Sequence, residues 1–132
     1  MNPMEFEEIF ERDKELLWNY DFLSNCNYIT WNIVRNNLCK PWNWKKISRN
    51  KIVTIEHVLD TPFLLWDWDE LTLNENMTFD IIIKHIRQPW NTDILVQKLT
   101  DEQLEEFYTI KEETNSIISE DSYDGSNFLY EI

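Results

Sequence analysis

The chain has 132 residues, with 25 acidic and 12 basic side chains and a formal net charge of −13 at pH 7. This length suits one domain with a substantial core, and the excess of acid disfavours binding to a polyanion except through a local basic patch. The first residues are acidic, and no apolar run approaches the ~18 residues that a membrane helix needs. We therefore predict a cytoplasmic protein without a signal peptide or a membrane span.

Residues 3–17 are predicted to form a helix that covers one end of the fold. Asn2 stands at the N-cap position and Pro3 at the first helical position, where a missing N–H is tolerated. Acidic side chains follow in the first turns, where the helix dipole favours them: Glu5, Glu7 and Glu8. Four apolar residues of this segment lie on one face of the helix or near it: Phe6, Ile9, Phe10 and Leu17.

Four tryptophans then recur at a constant spacing of 24 residues: Trp18, Trp42, Trp66 and Trp90. Three threonines keep the same spacing: Thr30, Thr54 and Thr78. A fixed period of this size indicates tandem repeats. We expect the equivalent tryptophans to be core residues, because a buried indole ring removes roughly 200 Å² of surface from water.

Each 24-residue unit carries two signals for the start of a short helix. A polar residue that can cap a helix follows every tryptophan: Asn19, Asn43, Asp67 and Asn91. The threonines are expected to cap the second helix of each unit. The predicted pairs lie near residues 19–26 and 30–37, 43–49 and 54–60, and 67–73 and 78–86. Asn50 and Asn74 are expected to end the first helices in the left-handed conformation.

Helices this short must stack on one another, because an isolated helix needs about 12–15 residues to be even marginally stable. The predicted fold class is therefore all-α, a short α-solenoid of 24-residue helix-turn-helix repeats with N- and C-terminal capping helices. We assign a single domain to residues 1–132. Within it, the capping helix (1–17) precedes the tandem repeats (18–93) and a degenerate repeat with the C-terminal helix (94–118).

The last helix is expected to begin at a capping box formed by Thr100 and Gln103, and an acidic tail, residues 119–132, follows it. Residues 112–132 carry six acidic and no basic side chains. The tail also contains large apolar side chains that can anchor it: Tyr123, Phe128, Leu129, Tyr130 and Ile132. We predict that residues 112–132 dock on a basic surface of the repeats, in their own chain or in a second copy that forms a homodimer.

A basic belt is predicted in the central repeats, where residues 35–55 contain six cations and no acid: Arg35, Lys40, Lys45, Lys46, Arg49 and Lys51. A nucleic acid would use such cations for its phosphates and Trp42 and Trp44 for base stacking. A protein partner would use the extended surface that stacked helical repeats present. The protein partner is favoured, because the net charge of the chain opposes a nucleic acid.

No residue set in the chain matches a catalytic or metal-binding pattern. The only histidines, His57 and His85, lie in different units, and a metal site needs several convergent donors. Cys26 and Cys39 lack CxxC spacing and are expected to be reduced thiols. The single glycine, Gly125, excludes a glycine-rich phosphate loop. We therefore predict a protein that is not an enzyme and that has no cofactor.

Three runs of the chain resemble a known family: YITWNIVRNN, KPWNWKKISRN and WDWDELTLNENMTFDIII. They are similar to the tryptophan-rich tandem repeats of giant DNA viruses that infect amoebae, and the resemblance covers about residues 18–90. The resemblance implies a viral protein made in the host cytoplasm, with a fold type but no assigned activity and no functional residues. The predicted function is a non-enzymatic protein–protein interaction or scaffold module, and the alternative is nucleic-acid binding through the basic belt.

Overall fold

A computed structural model of the chain describes the backbone of residues 2–122 and the side chains of residues 2–115. This part of the chain is all-α, as predicted, and contains nine helices and no strand. The helices are α1 (Pro3–Arg12), α2 (Tyr20–Leu23), α3 (Trp31–Arg35), α4 (Trp44–Arg49), α5 (Ile55–Asp60), α6 (Trp68–Leu73), α7 (Phe79–Lys84), α8 (Thr92–Lys98) and α9 (Asp101–Ser122). The chain divides into two compact units, the first ending at Met77 and the second beginning at Thr78.

The first helix starts at the predicted residue and ends earlier than predicted. Asn2 and Glu5 form a capping box, in which the backbone N–H of each residue donates to the side chain of the other, at 3.0 and 2.9 Å. The helix ends at Arg12 rather than near residue 17, and Asp13 is its C-cap. Phe6 and Phe10 are buried as expected, but Leu17 is fully exposed, at 102%. The prediction for Leu17 was wrong because residues 13–19 form a loop.

The six short helices predicted between residues 19 and 86 are all present, and several are shorter than expected. Seven of the eight helices that begin after residue 18 have an N-cap side chain that accepts a hydrogen bond from the third helical N–H: those capped by Asn19, Thr30, Asn43, Thr54, Asp67, Asn91 and Thr100. Thr78 was predicted to do the same, but it makes no such bond. Its side chain is exposed and the helix starts without it.

The difference between Thr54 and Thr78 gives a matched test of the cap. Thr54→Ala is expected to lower the free energy of unfolding by about 1 kcal/mol, because the Oγ1 acceptor of the His57 N–H is lost. Thr78→Ala is expected to change it by less than about 0.5 kcal/mol, because no cap bond is removed. Urea denaturation followed by circular dichroism measures both. An equal loss of unfolding free energy in the two variants would contradict the conclusion that Thr54 caps its helix and Thr78 does not.

Asn50 and Asn74 are the C-caps of α4 and α6, so these helices end where predicted, but the predicted conformation is wrong. Asn50 and Asn74 have φ values of −68° and −62° and ψ values of 138° and 132°, so both are extended and neither is left-handed. Their side chains are buried and bond to the preceding part of the chain instead. The left-handed conformation was predicted from neighbouring residues alone. That prediction was wrong because each side chain binds a backbone carbonyl 26 residues earlier in the chain.

The four equivalent tryptophans make the same hydrogen bond. Each indole Nε1–H donates to the backbone carbonyl five residues earlier, at 2.9–3.0 Å: Trp18 to Asp13, Trp42 to Asn37, Trp66 to Thr61, and Trp90 to His85. Trp42 and Trp90 are buried, whereas Trp18 and Trp66 are half-buried. These bonds close the loop that precedes each tryptophan, so the indole ring ties the end of one helix to the start of the next.

The last helix begins at the predicted capping box. The Thr100 N–H donates to Gln103 Oε1 at 3.0 Å, and the Gln103 N–H donates to Thr100 Oγ1 at 3.1 Å. Helix α9 packs against α7 and α8 and buries Phe107. Its backbone continues to Ser122 rather than ending near residue 118. The predicted docking tail residues Tyr123, Phe128, Leu129, Tyr130 and Ile132 lie outside the described residues.

Candidate interaction surfaces

Serine side chains join the first helices of the first unit to one another. Ser24 Oγ donates to the Tyr20 carbonyl at 2.6 Å and accepts the Asn43 N–H at 2.9 Å. Ser48 Oγ repeats the arrangement with the Trp44 carbonyl at 2.7 Å and the Asp67 N–H at 2.9 Å. Each hydroxyl therefore links the end of one helix to the N-cap residue of the next helix of the series α2, α4 and α6.

Asparagine side chains make a second set of links in the same unit. Asn50 Nδ2 donates to the Ser24 carbonyl at 3.0 Å, and Asn74 Nδ2 donates to the Ser48 and Asn50 carbonyls at 2.8 and 3.0 Å. Ser24 and Ser48 stand at the ends of α2 and α4, where backbone carbonyls have no partner within the helix. The amides satisfy these carbonyls from the following segment and hold the helices in register.

The basic belt predicted from the sequence is spread over several elements. Lys45, Lys46 and Arg49 belong to α4, and Arg35 is the last residue of α3. Lys40 and Lys51 lie in the loops before and after α4. Lys40 and Lys46 are half-buried and the other four are exposed. Three of the six cations therefore share one short helix, and the others occupy separate segments.

Two of the α4 cations are paired with carboxylates of the neighbouring helices. Lys46 Nζ lies 2.9 Å from Asp21 Oδ2 of α2, and Asn43 Nδ2 lies 2.7 Å from Asp21 Oδ1. The hydrogen bonds from Lys46 and Asn43 lower the pKa of the Asp21 carboxyl. On the other side, Arg49 lies 3.4 Å from Glu70 of α6. The belt is therefore bordered by acid on both sides, and exposed pairs of this kind contribute little stability.

A shallow polar cavity of about 240 Å³ lies where α2, α4 and α6 end. It is lined by Asn25, Asn27, Arg49, Asn50, Lys51, Leu73 and Glu75. Asn25, Arg49 and Leu73 are spaced by 24 residues, as are Asn27, Lys51 and Glu75. The cavity lining thus has two cations and one acid beside neutral amides. This mixture favours neither anionic nor cationic ligands.

The two tryptophans proposed as a stacking platform for bases have different surroundings. Trp42 is 5% exposed, and Tyr20 packs edge-on against its ring with a centroid distance of 4.9 Å. Its indole N–H is bonded to the Asn37 carbonyl. Trp44 is half-buried and packs edge-on against Trp66 at 5.4 Å. The Trp42 ring is thus a core group, and its faces are not open to a base.

His57 has a structural role in the first unit. It is the third residue of α5, where its Nδ1 accepts the Thr54 N–H at 3.2 Å and its own N–H donates to Thr54 Oγ1 at 3.4 Å. Trp31 stacks on the imidazole with a centroid distance of 4.6 Å and an interplanar angle of 14°. Burial lowers the pKa of His57, and the nearby Glu56 and Asp60 oppose that shift only in part.

The His57 cap predicts a loss of stability in mild acid. A proton on Nδ1 removes the acceptor of the Thr54 N–H, and the lowered pKa means that the unfolded chain binds this proton at a higher pH than the folded chain. The free energy of unfolding is therefore expected to fall as the pH drops below the unfolded value of about 6.5.

His57→Gln provides the control for this pH dependence. Glutamine at this position can accept the same capping-box bond and does not titrate. Denaturation at about pH 7.5 and about pH 5.5, which bracket the usual histidine pKa, should show a smaller loss of stability in the variant than in the wild type. The same loss in both proteins would assign the effect to other groups.

Exposed apolar side chains on the loops of the first unit were not foreseen from the sequence. The three loops that precede α2, α4 and α6, which we call the tryptophan loops, are residues 13–19, 37–43 and 61–67. They expose Leu16, Leu17, Pro41, Phe63 and Leu65, a set that we call the loop ridge. Alignment of the predicted 24-residue units contains a signal for it, because Leu17, Pro41 and Leu65 each stand immediately before a tryptophan.

Each tryptophan loop has the same internal hydrogen bonds. In the third loop, the Leu64 N–H donates to the Thr61 carbonyl at 3.1 Å, and the Trp66 N–H donates to the Leu64 carbonyl at 2.9 Å. The indole bond of Trp66 closes the same turn. The equivalent backbone bonds occur in the loops that end at Trp18 and Trp42. The ridge side chains therefore project from loops whose backbone is fixed.

The described residues hold no metal-binding cluster and no disulfide. No group of three or more histidine, cysteine, aspartate or glutamate side chains there is placed to hold a metal ion. The two cysteines are free thiols, and Cys26 Sγ accepts the Tyr28 N–H at 3.4 Å. No described helix is both long and apolar enough to cross a membrane. No family model, curated protein or solved structure matches the chain.

Proposed function

We propose that the chain is a non-enzymatic helical-repeat protein that binds a protein partner as an interaction or scaffold module. The observation that carries this proposal is the loop ridge of the first unit. Large apolar side chains there stand exposed on hydrogen-bonded loops, with Phe63 at 69% and Leu65 at 76%. Contiguous exposed apolar surface is typical of protein-binding sites, and a fixed backbone lowers the entropy lost on binding.

The recurring hydrogen bonds support an α-solenoid as the architecture of this module. The serine and asparagine links between neighbouring helices recur with a shift of 24 residues, as do the indole bonds. A structure in which each unit contacts the next through the same bonds is the pattern of a solenoid. We further propose a viral protein of the host cytoplasm, as the sequence resemblance implies.

Nucleic-acid binding is the second candidate function. It is favoured by Lys45 and Lys51, which are exposed and have no carboxylate of a described residue at ion-pair distance. Against it stand the acidic neighbours of Lys46 and Arg49 and the burial of Trp42. A polyanion would have to approach α4 between the carboxylates of Asp21 and Glu70. We therefore rank this function below protein binding.

Affinity purification from cells that make the protein tests the proposal. The wild type would be compared with the double variant Phe63→Ser/Leu65→Ser and with a control, Met4→Ser/Val96→Ser, which removes two apolar side chains that are exposed elsewhere. We expect one or more proteins to be retained by the wild type and the control and lost from the ridge variant. Identical sets of retained proteins in all three would contradict the proposal.

A separate measurement tests nucleic-acid binding. Fluorescence anisotropy with single- and double-stranded oligonucleotides would be measured for the wild type and for Lys45→Glu/Lys51→Glu. If protein binding is the main function, the oligonucleotides should bind only weakly, and moderate salt should abolish their binding. Tight binding that survives such salt and that the Lys45/Lys51 variant abolishes would instead support the second candidate.

A further inference from the structure

We propose that the loop ridge of one molecule binds residues 123–132 of a second copy of the chain. This inference rests on the proposed function, because it names the occupant of the same surface. The binding surface is Leu16, Leu17, Pro41, Phe63 and Leu65, and the occupant carries Tyr123, Phe128, Leu129, Tyr130 and Ile132. The contact would be mainly apolar, with charged side chains at its margin.

The tryptophan loops lie side by side, so the ridge is one surface. Asn43, at the end of the second loop, bonds to Ser24 and Asp21 of α2. Asp67, at the end of the third loop, bonds to Ser48 of α4. Packed helices stand about 8–10 Å apart, so the ridge from the first loop to the third spans about 16–20 Å.

The apolar run Phe128–Ile132 has a length that suits this surface. Five residues in extended form span about 16 Å at about 3.3 Å per residue. Side chains then alternate between two faces, which would place Phe128, Tyr130 and Ile132 on one face. Three apolar side chains on one face of a segment match a ridge that is three loops wide.

Charge at the middle loop of the ridge fits the same occupant. Lys40 belongs to the middle loop and Lys45 to the first turn of α4, directly after that loop. Neither has a carboxylate of a described residue at ion-pair distance. The segment brings Asp124 and Glu131 and no basic side chain. Such charges steer association and set register more than they add affinity.

The length of the last helix gives the segment the reach to meet another molecule. Phe107 is the last buried side chain of α9 among residues 101–115. The helix continues to Ser122, which is fifteen residues further (122 − 107), or about 22 Å at about 1.5 Å per residue. The backbone of α9 thus runs about 22 Å beyond Phe107 before the segment begins, a reach that would let the segment meet the ridge of a second copy.

Complementation between two full-length variants tests the proposal. The ridge variant Phe63→Ser/Leu65→Ser keeps its C-terminal segment, and the segment variant Phe128→Ser/Tyr130→Ser keeps its ridge. By sedimentation velocity, the wild type should self-associate with rising concentration. Each variant alone should show a dissociation constant raised by about tenfold or more, as for loss of a central apolar contact. An equimolar mixture of the two variants should form a 1:1 complex.

Two further measurements separate this inference from the proposed function. A fluorescent peptide of residues 119–132 should bind the segment variant, whose ridge is unoccupied, and should not bind the ridge variant. Met4→Ser/Val96→Ser should self-associate as the wild type does, and circular dichroism should show equal folding of all variants. A monomeric wild type, or a mixture without a complex, would overturn the inference. If the ridge variant nevertheless lost another protein in the affinity purification, the proposed function would stand.

Discussion

Trp42→Ala is expected to lower the free energy of unfolding by about 3–5 kcal/mol, the usual cost of truncating a large buried aromatic side chain. Trp42 is 5% exposed, packs edge-on against Tyr20, and donates to the Asn37 carbonyl at 2.9 Å. Its loss removes contact between the second tryptophan loop and α2 and also opens that loop. Urea denaturation followed by far-UV circular dichroism would measure the change.

Two control variants divide this effect into its parts. Trp42→Phe keeps an aromatic ring but removes the N–H donor, so it should cost less, with about 1–3 kcal/mol coming from the carbonyl left without a partner. Phe63→Ala truncates an exposed aromatic side chain and should stay within about 0.5 kcal/mol of the wild type. An unchanged denaturation midpoint for Trp42→Ala would show that the ring is a surface contact and not a core group.

Asn74→Ala is expected to cost about 2–4 kcal/mol, because it breaks several buried hydrogen bonds that are each worth about 0.5–1.5 kcal/mol. Asn74 is fully buried and donates to the carbonyls of Ser48 and Asn50, while its Oδ1 accepts the Asn76 N–H at 2.8 Å. The Ser48 carbonyl lies in the last turn of α4 and has no helical partner to replace the amide.

The chemistry of the amide can be tested separately from its size. Asn74→Asp has nearly the same shape, but an ionised carboxylate cannot donate to either carbonyl, so this variant should be at least as destabilised as Asn74→Ala near neutral pH. Asn25→Ala, at an exposed asparagine that lines the polar cavity, should change stability by less than about 0.5 kcal/mol. A loss for Asn25→Ala as large as that for Asn74→Ala would contradict the role assigned to the buried amides.

Local signals in the sequence predicted the helices well, because an N-cap acts within one turn. The caps Asn2, Thr30 and Thr54 are where their patterns place them. Thr78 has the same pattern without the bond, since a threonine side chain can rotate away from the helix and still leave the helix start intact. Helix α1 ends earlier than predicted because residues 13–19 form a tryptophan loop, and the apolar face of residues 3–17 contains no signal for that loop.

Long-range features could not be read from the same signals. The conformations of Asn50 and Asn74 depend on carbonyls 26 residues away. The pairing of Lys46 with Asp21 and of Arg49 with Glu70 depends on which helices are neighbours. The basic belt therefore looked continuous in the sequence, although in the structure it is divided among several elements. The exposure of Leu65 likewise depends on the loop geometry, because its hydrophobicity alone favours burial.

The serine and asparagine links also bear on how the first unit folds. They join residues 19 and 26 positions apart, so no long stretch of chain must be ordered before they form. The entropy lost in closing a loop rises only with the logarithm of its length, and proteins with low relative contact order fold in microseconds to milliseconds. Once a helix pair has formed, its serine hydroxyl and backbone carbonyls can accept hydrogen bonds from the pair that follows. The first unit can thus fold by successive short loop closures.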